Sequence, residues 1–232
     1  MMNKAVILFT RVPIAGQTKT RLQPFLSADQ CAQLHKAFLK DIYAELRLLH
    51  EDILVSFTPD NECEKLRCIL GDDIRYFPQT GNDLGKRMQN AIAQTLNQGY
   101  KSCVLIGSDV PLLKSEDIQC AFESLDTHDF VISPTEDGGY YLIGMKKACP
   151  NLFALSYGTQ NVFEKTCAVM EAEKKTFAVG SKQFDIDNKA DLCKLADQLA
   201  HDSSEKNIHT KAMLSRIFAQ KKRGETHDKR SY

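Results

Sequence analysis

The stretch Val104-Leu105-Ile106-Gly107-Ser108-Asp109-Val110-Pro111 constrains this chain more than any other. Residues 104–107 are apolar and short enough for a buried strand. The run then stops on a hydroxyl and a carboxylate. Pro111 suits a first helical turn, and Ser115 with Glu116 and Asp117 resembles a cap with acids near the positive helix end. Asp109 therefore stands at the carboxyl end of a strand, where open α/β sheets bind their ligands. It either serves a ligand there or caps the helix that follows.

The same strand-then-helix rhythm runs through the rest of the chain. Residues 5–10 read as a first, central strand, and residues 53–57, 74–77 and 130–133 as others. Between them, Ser27 to Gln30 is a plausible capping box. It opens a helix with Leu34, Phe38, Ile42, Leu46 and Leu49 on one stripe, and His35 off that stripe is expected to face solvent. Residues 61–70 read as a short helix ended by Gly71, and Leu84, Met88, Ile92 and Leu96 mark one face of another. With 232 residues there is enough chain for one α/β domain. Residues 1–200 are expected to form it. Residues 201–232 carry eight Lys/Arg against four Asp/Glu and little apolar content after Phe218. They are expected to form a short helix near 207–219 and a mobile basic tail.

Thirty basic and thirty acidic residues cancel, so no global field favours nucleic acid or an anionic membrane. No apolar run approaches the roughly 20 residues of a membrane span. Met-Met-Asn-Lys leads into a strand without an apolar signal region, and a cytoplasmic protein is expected. The eight cysteines form no Cys-x-x-Cys pair and are expected to be buried free thiols.

Four further segments carry polar groups in unusual patterns. The loop after the first strand holds Arg11, Lys19 and Arg21 around Gly16. It lacks the glycine spacing of a Walker loop, yet its cations and hydroxyls suit a diphosphate as well as they suit solvent. Gly81-Asn82-Asp83-Leu84-Gly85 precedes a helix, whose free N–H groups can take an anion or simply be capped. Glu136-Asp137-Gly138-Gly139 marks a tight reversal or a close approach to a ligand. Asp185 and Asp187 lie at i, i+2 in an extended segment and share a side. They suit a hard cation, or a capping cluster for the helix opened by Asn188 and Asp191.

Taken in order, six motifs resemble a known group. They are residues 9–16 with Lys19-Thr20-Arg21-Leu22, residues 81–88, residues 107–111, Asp137-Gly138-Gly139-Tyr140-Tyr141-Leu142-Ile143-Gly144, Tyr157-Gly158-Thr159 and Asp185-Ile186-Asp187. They resemble a bacterial GT-A-type transferase family with radical-SAM and selenium-related neighbours. That family is similar to phospholactate guanylyltransferases and, more distantly, to molybdenum-cofactor guanylyltransferases. The match spans residues 4–200.

The resemblance implies a Rossmann-like nucleotide-diphospho-sugar transferase fold, with a mostly parallel sheet, one antiparallel strand and helices on both faces. It implies nucleotide contacts from Thr10, Arg11, Gly16, Lys19, Arg21, Gly81, Asp83, Gly85 and Ser108. It implies that Asp109, Asp185 and Asp187 hold Mg²⁺ or Mn²⁺. Asp137, Gly138, Gly139, Tyr157 and Thr159 would meet an acceptor. Asp109, Lys19, Glu136 and Asp137 would act in catalysis, with Glu136 or Asp137 as a possible general base. Arg11, Gln17 and Tyr157 depart from the group's commoner residues. The activity this favours is a glycosyltransferase moving a sugar from a nucleotide sugar to a small-molecule acceptor. The alternative is a nucleotidyltransferase joining a nucleoside monophosphate to a phosphorylated small molecule. A non-catalytic nucleotide-binding protein is the third reading, and oligomeric state is left open.

Overall fold

The computed structural model describes residues 4–228 of the chain, with side chains as far as Lys221. The last four residues of the expected tail, 229–232, lie outside the described residues. The strands are β1 (Lys4–Arg11), β2 (Asp52–Thr58), β3 (Arg75–Pro78), β4 (Ser102–Gly107), β5 (Phe130–Pro134), β6 (Tyr140–Met145) and β7 (Phe177–Val179). They form one sheet in the order β3-β2-β1-β4-β6-β5-β7. β6 runs antiparallel to both neighbours, and every other pairing is parallel. The expected mixed sheet with one antiparallel strand is therefore the observed one. β7 has only three residues, too few to stand out as a strand in the sequence.

The helices are α1 (Ala28–Leu46), α2 (Cys63–Leu70), α3 (Leu84–Asn97), α4 (Ser115–Thr127), α5 (Val162–Ala172), α6 (Lys189–Ala200) and α7 (Ile208–Asp228). Alternation along β1 explains why both sheet faces need covering. Val6 and Leu8 point to one face, where α1, α2 and α4 bury Ile42, Leu66 and Phe122. Ala5, Ile7 and Phe9 point to the other, against Met88 and Ile92 of α3. A strand buried on both faces reads as a continuous apolar run. A third cluster joins Cys31, Leu34 and Phe38 of α1 to Leu195 of α6 and Leu214 and Ile217 of α7.

The caps follow local chemistry. Ser27 and Gln30 form the expected box, with Gln30 N–H donating to Ser27 Oγ (3.1 Å) and Ser27 N–H to Gln30 Oε1 (2.9 Å). The α4 cap differs from expectation. Ser115 is the first helical residue rather than the cap, because Glu45 Oε2 takes both its N–H (3.0 Å) and its hydroxyl (3.3 Å). Asp117 instead accepts from Lys114 N–H at 3.1 Å. α7 runs to Asp228, past the expected end near residue 219. The cysteines are free, but Cys68 of α2 and Cys120 of α4 are exposed, which corrects the expectation that all are buried. Among the described residues no helix is long and apolar enough to cross a membrane.

This topology fixes the place for a site. From β1 the chain crosses by α1 to β2 on one side, and from β3 it returns by α3 to β4 on the other side of β1. The strand order reverses between β1 and β4, and the crevice outside their carboxyl ends is where open α/β sheets bind ligands.

Candidate active site

β1 ends on Thr10 and Arg11, and β4 delivers Ser108 and Asp109 beside them. Thr10 and Ser108 are buried, and the Thr10 hydroxyl donates to Ser108 Oγ at 2.9 Å. His35 closes this network from α1. Its side chain is 2% exposed, which corrects the expectation of a solvent-facing residue. The physical reason is that α1 is buried on two sides, by the sheet and by α7, so its covered arc is wider than one stripe. His35 Nε2 lies 3.2 Å from the Arg11 carbonyl and 3.1 Å from Thr10 Oγ1. An obligate acceptor on that side puts the proton on Nε2. Nδ1 is then left without a partner, 4.0 Å from Asp109 Oδ1. Burial pushes the imidazole down to about 4, so the ring is neutral at pH 7.

The loop after β1 is stapled by Thr18, one of the loop hydroxyls expected to suit a diphosphate. Its hydroxyl donates to Val12 O at 2.9 Å and accepts from Ile14 N–H at 3.1 Å. Gly16 turns the loop at φ +82°, a conformation that favours glycine. Lys19 is held in the left-handed region, at φ 52° and ψ 41°, which costs a non-glycine residue roughly 1–2 kcal/mol. Its side chain makes two bonds that offset this cost. Nζ, 4% exposed on its side chain, lies 2.5 Å from Asp109 Oδ1 and 2.7 Å from the Ile186 carbonyl. Strain of this kind clusters at ligand clamps. Burial alone would raise the Asp109 carboxyl, but the Lys19 ammonium overrides it and holds the group below its ordinary value.

Two cavities open on this corner. The first, about 700 Å³, is lined by Arg11, Lys19, Arg21 and Arg87 together with Gln79 and Asp83. The second, about 280 Å³, is lined by Asp109, Asp137, Asp185, Tyr140, Tyr157 and Thr159 among others. Phe9, Leu84 and Asp109 border both. Leu84, expected on the buried face of its helix, is 46% exposed because it lies between the cavities. Arg87 and Gln79 were missed as site residues. Arg87 Nε donates to Gly81 O at 3.0 Å, and Gln79 Nε2 to Thr10 O at 3.0 Å, so both hold the rim of the first cavity.

The carboxylates arrive on a segment that follows β7. Gln183 bonds back to Pro134 O (3.1 Å) and Ile186 N–H to Asp109 O (3.0 Å). Phe184 and Ile186 face the core, which turns Asp185 and Asp187 the other way, as the i, i+2 spacing predicts. The two do not share one role. Asp187 pairs with Arg21 Nη1 at 2.5 Å, whereas Asp185 borders the second cavity. Burial and the neighbouring Asp137, Asp187 and Asp109 carboxylates push Asp185 up to about 6. Among the described residues no three His, Cys, Asp or Glu side chains converge on one metal position. The donor set still fits a hard cation. Its donors are carboxylate oxygens, Asp185 carries uncompensated like charge, and Mg²⁺ commonly uses one or two carboxylates completed by substrate phosphates.

The remaining expected residues divide. Asp83 caps α3, accepting from Lys86 N–H at 2.7 Å, and also borders the first cavity. Gly81 stands at φ +136°, where a Cβ would crowd the Lys86 and Arg87 backbone. At Gly85 a Cβ would overlap the Phe153 carbonyl and the Tyr157 ring, so the absence of a side chain there serves helix packing. Gly138 likewise lies against the Gln160 backbone, and Gly139 against the Thr135 hydroxyl. Asp137 Oδ1 accepts from Thr135 Oγ1 (2.5 Å) and Gly139 N–H (3.0 Å). Glu136 is not brought into the cleft. Thr135 is buried on one side of the chain, which turns Glu136 to the other, where Lys194 Nζ binds it at 2.6 and 2.8 Å.

Comparison with known proteins bears on the family and the fold. A family model described as "Uncharacterized protein conserved in bacteria (DUF2064)" matches residues 42–158. The chain is 28% identical over 145 residues to 2-phospho-L-lactate guanylyltransferase of Methanosphaera stadtmanae, covering 61% of each chain. It is 26% identical over 150 residues to 3-phospho-D-glycerate guanylyltransferase of Phenylobacterium zucineum, covering 60% of this chain and 64% of that one. The match thus spans about three fifths of these curated relatives. Among solved structures, a candidate nucleotide-diphospho-sugar transferase from Desulfovibrio desulfuricans G20 superposes with a TM-score of 0.88 at 32% identity, covering 94% of this chain and 96% of that one. A cytidylyltransferase from Leptospira borgpetersenii shares the fold, with a TM-score of 0.53 at 15% identity and 96% of both chains covered. The chain belongs to the DUF2064 family and has the fold of the nucleotide-diphospho-sugar transferases.

Proposed function

We propose that this chain is a metal-dependent nucleotidyltransferase that joins a nucleoside monophosphate, guanosine first among the bases, to a phosphorylated small molecule. The observation that carries the reading is the meeting of a cation-rich cavity and a second, smaller cavity at Asp109, in the crevice between β1 and β4. Sugar transfer is the activity the sequence motifs favour. The guanylyltransferase names of the curated relatives shift the balance to the alternative.

In this reading the triphosphate lies along Arg11, Lys19, Arg21 and Arg87 in the first cavity. An oxygen of the acceptor phosphate attacks the α-phosphorus. A new P–O–P bond forms, the α–β bond breaks, and pyrophosphate leaves with the bridging oxygen. A phosphate dianion brings its own lone pair, so no base is required, and the position of Glu136 outside the cleft is no obstacle. Asp109 and Asp185 would hold a Mg²⁺ or Mn²⁺ ion, which supplies charge neutralisation at the phosphates. Lys19 then exchanges its bond to Asp109 for one to phosphate, from a backbone already set for it. Asp187 fixes Arg21, and fixed donors aimed at developing charge are the main source of catalysis in such reactions.

Binding is the first test. GTP with Mg²⁺ or Mn²⁺ is expected to raise the melting temperature by several degrees, since a ligand bound only by the folded state stabilises it. Without metal the rise should shrink, and in Asp109→Asn it should be lost. A shift with nucleotide sugars but none with any nucleoside triphosphate would contradict the reading.

A further inference from the structure

The two cavities differ in charge far more than the activity alone requires. The first is lined by four cations, Arg11, Lys19, Arg21 and Arg87, with three carboxylates, Asp83, Asp109 and Asp187, whereas the second has no Lys, Arg or His among the described residues that border it. It has instead three carboxylates, Asp109, Asp137 and Asp185. With a divalent ion on Asp109 and Asp185, Asp137 remains uncompensated. Its Oδ1 is occupied by Thr135 and Gly139, and its Oδ2 has no partner among the described residues. Asp137 is exposed, and at its free oxygen a ligand hydroxyl can replace solvent as donor whereas a ligand carboxylate cannot.

The other walls repeat the message. Tyr140 and Tyr157 meet edge to face, with ring centroids 6.5 Å apart and hydroxyls 3.1 Å apart. Burial raises both phenols, so they remain neutral donors and apolar faces. The Thr159 hydroxyl adds a further polar group. At about 280 Å³ the cavity lies near the lower end of the roughly 300–1,000 Å³ of small-molecule sites, so its occupant is small.

Resting on the nucleotidyl-transfer reading, we infer that the acceptor of this chain is a small phosphate monoester whose body is uncharged and hydroxylated. Its phosphate meets Lys19 and the metal position at Asp109, and its body enters the second cavity. This separates the chain from relatives named for 2-phospho-L-lactate and 3-phospho-D-glycerate. Each of those acceptors carries a carboxylate, which would face Asp137 with no Lys, Arg or His side chain of this cavity to pair with it.

A matched pair tests the inference. Glycerol 3-phosphate and 3-phosphoglycerate share a skeleton and a phosphate, and differ in a terminal hydroxymethyl against a carboxylate. Both are titrated calorimetrically into the full chain with Mg²⁺ and a non-hydrolysable GTP analogue. Glycerol 3-phosphate should bind at least tenfold more tightly. Asp137→Asn keeps the side-chain shape and should narrow that gap by helping the acid. Equal or tighter binding of 3-phosphoglycerate, or binding of neither compound, overturns the inference. Failure of the nucleotidyl-transfer reading looks different: the GTP analogue itself gives no heat. The ranking of the pair is then still read with Mg²⁺ alone.

Discussion

Lys19 shows how a single residue can hold a site ready. Its ammonium bridges Asp109 and the Ile186 carbonyl from a left-handed backbone, so the loop, β4 and the acidic segment meet on one atom. Lys19→Ala should weaken metal–GTP binding by at least tenfold, because hydrogen bonds to charged groups are worth about 1.5–3 kcal/mol each. Equilibrium titration with a fluorescent GTP analogue measures this, and unchanged affinity would return Lys19 to a purely structural role. At this scale the sequence was legible where chemistry broke a pattern. Asp109 ends an apolar run, and Lys19 lies in a loop with no stripe to serve. His35 was not legible from the stripe through Leu34. It lies at i+4 from Cys31 and three before Phe38, so a second buried face of α1 would have revealed it. Asp187 borders the first cavity paired with Arg21, 166 residues away in the chain, and Asp185 borders the second, a division that no local spacing encodes.

Among the elements, α1 and α7 show what periodicity can and cannot say. Apolar spacing located α1 through its capping box and stripe, and the strands through their runs. It set α7 too short and gave no sign that the helix completes the far side of α1. Leu214 is 4% exposed and Ile217 fully buried, against Phe38 and Leu34. Leu214→Ala is expected to destabilise the protein by about 2–5 kcal/mol, the usual cost of emptying a buried leucine site. Chemical denaturation should show a lower midpoint with an unchanged slope. No change in midpoint would mean that α7 contributes little to folding and that the boundary near residue 200 divides independent parts. The same contact bears on the site, because α1 carries His35 on the side that Phe38 anchors.

The whole molecule is a seven-stranded sheet, with the candidate site gathered where the order reverses between β1 and β4. β1 brings Thr10 and Arg11, β4 brings Ser108 and Asp109, and the β5–β6 turn brings Asp137. The segment before α6 adds Asp185 and Asp187. The basic side chains thereby line one of two adjoining cavities and none lines the other, with Asp109 on the border. That division favours a reaction in which a polyanionic donor lies on one side and a small acceptor on the other. The most direct test is the identity of the released product. The protein is incubated with Mg²⁺, each nucleoside triphosphate and a set of phosphate monoesters, and in parallel with nucleotide sugars. Pyrophosphate should appear with GTP, only when metal and acceptor are both present, and should vanish in Asp109→Asn. Nucleoside diphosphate released from a nucleotide sugar, with no pyrophosphate from any triphosphate, would contradict the account and restore sugar transfer.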